Sequence, residues 1–231
     1  MSKPTTEEYC HDRLGPRFQE ALSEYDTGRR VQVIVDDFLT DDLIRGKRVL
    51  DVGCGLGFFS RRLRERGADV VACDIGPGLV AATRTRAGCR AEVVDALALS
   101  DFFGQAVFDA VVSSECIEHT RDPAEAVRQM ARVLKPGGYL SLSTPNRVWH
   151  PAVKLATLVH ARPFDGFEHF SSWGGMERML SVNGIRCVRR YGLHLLPFQL
   201  RCFRFLTWCD EHLQSLQGVM INICVLGIRE A

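Results

Sequence analysis

The chain predicts a doubly wound α/β fold, a parallel sheet covered by helices on both faces. Short apolar strands alternate strictly with helical segments, and a glycine-rich turn follows the first strand directly. The first strand ends in Val49-Leu50-Asp51-Val52, and Gly53-Cys54-Gly55-Leu56-Gly57 is the turn. Phe58 to Arg66 then reads as a helix closed by Gly67. Ala68 to Cys73 is a second strand ending at Asp74, and the next helix starts around Pro77 and stops at Gly88. Arg90 to Val94 gives a third strand and Phe108 to Ser113 a fourth. Asp122-Pro123-Ala124-Glu125 is a helix start, with a capping side chain and Pro at the first helical position. Ala126, Val127, Met130, Val133 and Leu134 form the core face of that helix. Lys135-Pro136-Gly137-Gly138 breaks it before a fifth strand, Tyr139 to Ser143.

Beyond this core the pattern weakens. Residues 145 to 170 show no clear period but hold Trp149, His150, Phe164, Phe167, His169 and Phe170. Ser171 to Asn183 reads as a helix with Trp173, Met176 and Leu180 inward, and Ile185 to Tyr191 and Val219 to Ile228 as closing strands. With 231 residues the chain can bury one substantial core, so a single domain is expected over 1–231. Within it, 1–45 reads as a lid of two amphipathic helices, 46–145 as the cofactor-binding core, and 145–231 as a substrate-side insertion or cap with closing strands.

The glycine turn carries the first chemical inference. A dinucleotide fingerprint requires Gly-x-Gly-x-x-Gly, whereas here the third glycine comes one residue early and Phe58 fills its place. Asp51, two residues before the first glycine, would oppose a pyrophosphate but suits a cationic ligand. A nucleoside bearing an ammonium and a sulfonium fits better, which points to S-adenosylmethionine. Ligands in such sheets bind at the carboxyl ends of the strands. The candidate cofactor residues are therefore Asp51, Gly53, Cys54, Gly55 and Gly57 of the loop, and Asp74, Ile75, Asp95, Ala96 and Ser114 at the following strand ends. Asp74 can accept both ribose hydroxyls, and Asp95 can accept the adenine amino group or simply cap a helix. Asp51 either organises the loop or holds the ligand's ammonium through water.

Composition narrows the class. A net charge of +1 gives no electrostatic reason to expect a nucleic-acid partner. Nine cysteines without a Cys-x-x-Cys pair suggest reduced thiols in a cytoplasmic protein. No apolar run is long enough to cross a bilayer.

Taken together, residues 46 to 145 resemble the class I S-adenosylmethionine-dependent methyltransferases, with Asp-Val-Gly-Cys-Gly-Leu-Gly as a specific form of their first motif. The resemblance implies a seven-stranded sheet whose last strand, Val219 to Ile228, runs antiparallel. Base methylation is disfavoured, because Ser113-Ser114-Glu115-Cys116-Ile117-Glu118-His119-Thr120 stands where base methyltransferases carry Asp or Asn, Pro-Pro and an aromatic residue. That segment, with Ser143-Thr144-Pro145-Asn146-Arg147, is similar to the 3-demethylubiquinone O-methyltransferase family; His169-Phe170 and Tyr191-Gly192-Leu193-His194 extend the similarity.

The resemblance implies divalent-cation ligands, Mg²⁺ or similar, at Glu115, Glu118 and His119, against the alternative that these groups flank the cofactor or act as a base. It also places Arg30 near the cofactor's carboxylate, with Arg29 as the competing residue. His119 and His169 are the candidate general bases, ahead of His150, His160 and His194. The aromatic stretch Leu195 to Trp208 has three readings: cap or dimer packing, the wall of an apolar acceptor site, or contact with a membrane surface. The expected activity is O-methylation of a small phenolic, sugar or natural-product hydroxyl. N- or C-methylation on the same fold and a non-catalytic nucleoside-binding protein are the alternatives.

Overall fold

The computed structural model describes residues 23–158 and 168–230, without the side chains of 155–158. Seven strands form one sheet in the order β3-β2-β1-β4-β5-β7-β6. They are β1 (Arg48–Val52), β2 (Asp69–Asp74), β3 (Arg90–Val93), β4 (Phe108–Ser114), β5 (Leu134–Pro145), β6 (Ile185–Leu193) and β7 (Asn222–Arg229). β7 pairs antiparallel with both β5 and β6, and the pairings among β1 to β5 are parallel. The reversed strand is thus last in the chain but second from the edge of the sheet.

Side chains that alternate along a strand feed two separate cores. Leu50 and Val52 pack on one face with Val111, Met130 and Leu142, whereas Val49 packs on the other with Ile34, Leu63 and Val112. The first face is covered by α6 (Pro123–Val133), whose start is capped as its sequence predicts, with Asp122 accepting from the Glu125 N–H. The second is covered by α3 (Phe58–Glu65) and by an N-terminal segment. In that segment α1 (Glu24–Val31) runs into a wider, π-helical turn (Gln32–Asp37) and then a short α2 (Asp41–Ile44). Of the lid expected over 1–45, residues 1–22 lie outside the described residues, and the rest packs into the core on this face of the sheet. α4 (Pro77–Ala87) begins with its proline and ends on Gly88 at φ +60°, as expected.

Four boundaries differ from the sequence reading. A short α5 (Leu99–Phe103) lies between β3 and β4. β5 starts at Leu134, before the Pro-Gly-Gly break, because Leu134 pairs with Phe108 and the following residues form an irregularity in the ladder. A helix α7 (His150–Leu158) occupies part of the segment that shows no period. β7 starts at Asn222 rather than Val219, since Gln214–Val219 coils into a tight turn. That turn is pinned to the end of β5 by Asn146 Nδ2, which donates to the Gly218 and Met220 carbonyls, and by Trp149 Nε1, which donates to Val219. The remaining helices are α8 (Trp173–Ser181) and α9 (Phe203–His212).

Candidate active site

The carboxyl ends of β1, β2, β4 and β5 open into one cavity of about 600 Å³, within the range of small-molecule sites. Its floor is the glycine loop. Gly53 and Gly57 hold positive φ, +71° and +80°, and both are fixed by packing inside the protein. A Cβ on Gly53 would stand 2.5 Å from Cys116 Sγ, and one on Gly57 2.9 Å from Thr83 Cα. Gly53, Cys54 and Gly55 line the cavity. Gly57, expected to touch cofactor, instead caps α3 against α4 and is not part of the lining.

Asp74 sits at the tip of β2 and lines the cavity. Its carboxylate is oriented by two backbone donors, Oδ2 taking the Gly55 N–H at 3.0 Å and Oδ1 the Gly76 N–H at 2.9 Å. Such a carboxylate is set in place before any ligand arrives. Ile75, Asp95, Ala96 and Ser114 line the same cavity. Asp95 is not the helix cap that sequence offers as its alternative: its Oδ1 accepts from the Leu97 N–H in the turn before α5 and its Oδ2 from Arg121. Asp51 lies beneath the loop, 1% exposed and outside the lining. It accepts from Ser60 Oγ at 2.5 Å, and burial lifts its carboxyl to about 7, with Asp74 adding to the rise. It thus ties β1 to α3 and does not reach the cavity.

Arg30 and Arg29, which sequence leaves in competition, point to different neighbours. Arg30 lines the cavity, grips Asp26 with Nε and Nη2 at 3.2 and 2.6 Å, and donates from Nη1 to Ser114 Oγ at 3.1 Å. Arg29 turns toward the cap, donating to Gln32 and Glu211. Burial would raise the Asp26 carboxyl, but Arg30 and His194 together bring it down to about 2.

The Glu115–His119 segment is where the structure corrects the metal expectation. Among the described residues no group of three or more His, Cys, Asp or Glu side chains is arranged to hold a metal ion. Glu115, at φ +49°, accepts from Ser143 Oγ and Asn222 Nδ2 at 3.0 and 2.9 Å. Glu118, 2% exposed, accepts from Thr144 Oγ1 at 3.2 Å. Burial pushes both carboxyls up, Glu118 further because Glu115 adds to it, and Arg30 supplies the positive charge that partly offsets this. The two acids are therefore engaged by hydroxyls, an amide and a guanidinium, and the residues present do not fit a divalent cation.

His119 lines the cavity, with Nε2 3.9 Å from Glu118 Oε1. His169 does not: its side chain is exposed, while Glu168 and Phe170 line the cavity on either side of it. Its backbone N–H donates to the Glu118 carbonyl, which fixes an extended segment whose alternation turns the imidazole away. His150 stacks near Phe170, and His160 lies outside the described residues.

Asp26, Asn222 and Ile221 line the cavity without being singled out by the sequence reading. Asp26 stands four residues before Arg30, the spacing that puts a carboxylate and a guanidinium on one helix face. Asn222 and Ile221 enter from β7 and the residue before it. An apolar wall comes from Trp149, Val153, Phe170, Pro197 and Phe198. The aromatic stretch thus divides: Pro197 and Phe198 line the cavity, Phe203 stacks on Tyr25 at 4.4 Å, and Phe205 and Trp208 are exposed. No helix of the described residues is long and apolar enough to cross a membrane.

A mostly parallel sheet with one reversed strand, a glycine loop after β1 and an acidic tip on β2 are the arrangement of the class I methyltransferase fold. The comparisons agree. Residues 50–142 match the profile of the family described as "Methyltransferase domain". Among sequence relatives, the ubiquinone biosynthesis O-methyltransferase of Xanthomonas oryzae pv. oryzae is 42% identical over 125 residues, covering 51% of this chain and 50% of that protein. The enzyme of the same name from Alkalilimnicola ehrlichii is 35% identical over 159 residues, covering 62% and 63%. The match thus spans about half to three-fifths of the length of these relatives. A methyltransferase structure from Thermotoga maritima, titled a possible histamine N-methyltransferase, superposes with a TM-score of 0.72 at 15% identity, covering 96% of this chain and 99% of that one. Magnesium protoporphyrin IX methyltransferase from Synechocystis, solved with bound S-adenosylhomocysteine, gives 0.68 at 16% identity and 97% coverage of each. Residues 50–142 are thus similar to the methyltransferase-domain family, the fold is that of the S-adenosylmethionine-dependent methyltransferase structures, and ubiquinone biosynthesis O-methyltransferases are among the sequence relatives.

Proposed function

We propose that this protein transfers a methyl group from S-adenosylmethionine to a hydroxyl oxygen of a small aromatic molecule. The observation that carries the reading is that one cavity joins a nucleoside end to an acceptor end. At the nucleoside end, Asp74 would accept the ribose hydroxyls, Asp95 and Ala96 would meet the base, and Arg30 would take the carboxylate. The cofactor supplies an electrophilic methyl on a good, neutral leaving group, so the protein's work is orientation and proton removal. Orientation alone supplies about 7–11 kcal/mol in well-aligned cases.

At the acceptor end Trp149, Phe170 and Phe198 offer flat apolar surface to a ring. Among the described histidines it is His119 that lines the cavity, which supports it as the general base. Glu118, whose Oε1 lies 3.9 Å from the imidazole Nε2, is pushed well above the ordinary range by burial and Glu115. An imidazole there takes up the hydroxyl proton as the oxygen attacks, and releases it to solvent afterwards. The names of the sequence relatives support an oxygen acceptor. The reading carries a reducing compartment such as the cytoplasm with it, since the described cysteines are free thiols.

The test has two parts. Calorimetry should show S-adenosylhomocysteine binding and no binding of NADH. Radiolabelled methyl transfer should then occur to a catechol or phenol in a panel that also includes amines. Failure to bind S-adenosylhomocysteine sinks the cofactor assignment, and label appearing only on amines sinks the hydroxyl acceptor.

A further inference from the structure

His194 follows β6, is fully buried and holds φ +62°, a backbone that few non-glycine residues adopt without a compensating contact. Its ring lies between two carboxylates from opposite ends of the chain. Nε2 is 2.9 Å from Asp26 Oδ1 on α1, and Nδ1 is 3.6 Å from Asp210 Oδ2 on α9. Asp210 is itself buried, with Oδ1 taking the Leu195 N–H at 3.0 Å and Arg29 4.0 Å from Oδ2. Tyr25 and Phe198 flank the imidazole, with ring centroids 5.7 and 5.5 Å away.

Asp26 is the carboxylate that grips Arg30 through two nitrogens, and Arg30 reaches Ser114 with its third. We propose that His194 is a positioning residue for cofactor binding: by holding Asp26 it fixes the plane in which Arg30 presents its guanidinium to the carboxylate of the methyl donor. This rests on the proposed cofactor and on Arg30 meeting its carboxylate. Asp26, His194 and Phe198 also tie the N-terminal helix to the segment before α9, so the element that recognises the ligand's amino-acid end is anchored by the cap. Without the imidazole, Asp26 and Arg30 keep each other and Arg30 keeps Ser114, but Asp26 loses its tie to the segment after β6 that fixes the guanidinium plane from the other side. The loss then falls on the carboxylate subsite and spares the nucleoside subsite around Asp74.

Two ligands separate this role from a general structural one. S-adenosylhomocysteine carries the carboxylate, and 5′-methylthioadenosine has the same nucleoside and sulfur without it. His194→Asn tolerates the left-handed backbone but is too short to bridge to Asp26, whereas the amide of His194→Gln reaches it. In calorimetry, His194→Asn should weaken S-adenosylhomocysteine by about ten- to a hundredfold, the scale of one charge-assisted contact, and leave methylthioadenosine within about twofold of wild type. His194→Gln should restore most of the difference. Retained methylthioadenosine binding also shows that the variant is folded. Equal losses for both ligands, or no loss for either, overturn the proposal. If wild type binds neither ligand, it is the proposed function that fails.

Discussion

Asp51 offers a sharp electrostatic test, because a carboxyl that is 1% exposed and titrates near 7 weakens the protein at the pH where it works. The folded-state value lies above the ordinary 3.8 of a free aspartate, so the neutral form is the one the fold prefers. Its contribution to stability is complete below about pH 4 and is lost as pH rises through about 7. At about 1.4 kcal/mol per pH unit, the loss between pH 5 and 7 is about 3 kcal/mol. Asp51→Asn removes the charge and keeps an oxygen for Ser60 Oγ, while adding an amide N–H whose need for an acceptor costs about 1–3 kcal/mol at every pH. The constant cost cancels when the variant is compared with wild type at two pH values. For a chain of this length about 2–4 °C accompanies each kcal/mol. Calorimetric melting of ligand-free protein should therefore show the variant gaining about 6–12 °C relative to wild type between pH 5 and pH 8. A difference that stays flat, or that grows toward acid, refutes the argument that desolvation governs this carboxyl.

Three further outcomes follow from the site. His119→Ala should lower kcat by about 10²–10⁴-fold while leaving S-adenosylhomocysteine affinity near wild type; the same variant of the exposed His169 should change kcat little, and single-turnover rates compare them. Gly57→Ala forces a Cβ to 2.9 Å from the Thr83 backbone at φ +80°, so urea unfolding should show a loss of about 2–5 kcal/mol. Treatment with a chelator should leave methyl transfer and melting temperature unchanged, and added Mg²⁺ should alter neither, since Glu115 and Glu118 already bond to Ser143, Asn222 and Thr144.

The cofactor half of the molecule was legible because its chemistry is local. A glycine turn, a strand tip two residues from a backbone N–H, and a capped helix are each set within a few residues of sequence. The strands from β1 to β4 accordingly begin and end close to the predicted places. Asp51 was placed in the loop, but its depth depends on Ser60 and Asp74 closing over it. The acceptor half was less legible because it is assembled from distance. Asn222 meets Glu115 across 107 residues of chain, and His194 meets Asp26 across 168. No period announces such pairs. His169 was hard to place for a simpler reason: no local pattern says which of residues 168 to 170 face the cavity, and the structure turns Glu168 and Phe170 toward it.

The position of β7 bears on how the molecule comes into being. Ribosomes deliver it after the other six strands, yet it lies between β5 and β6 and carries Asn222 to the cavity. A nascent chain that has emerged only to residue 215 has no bonded place in the sheet for β6, and β5 shows an open edge. The sheet around β1 to β4 can form early, but the cavity is complete only when Ile221 and Asn222 arrive with the final strand. Stalling or nicking upstream of Asn222 should thus leave a product whose cavity lacks its β7 side and which is prone to pair through its bare edge with other chains.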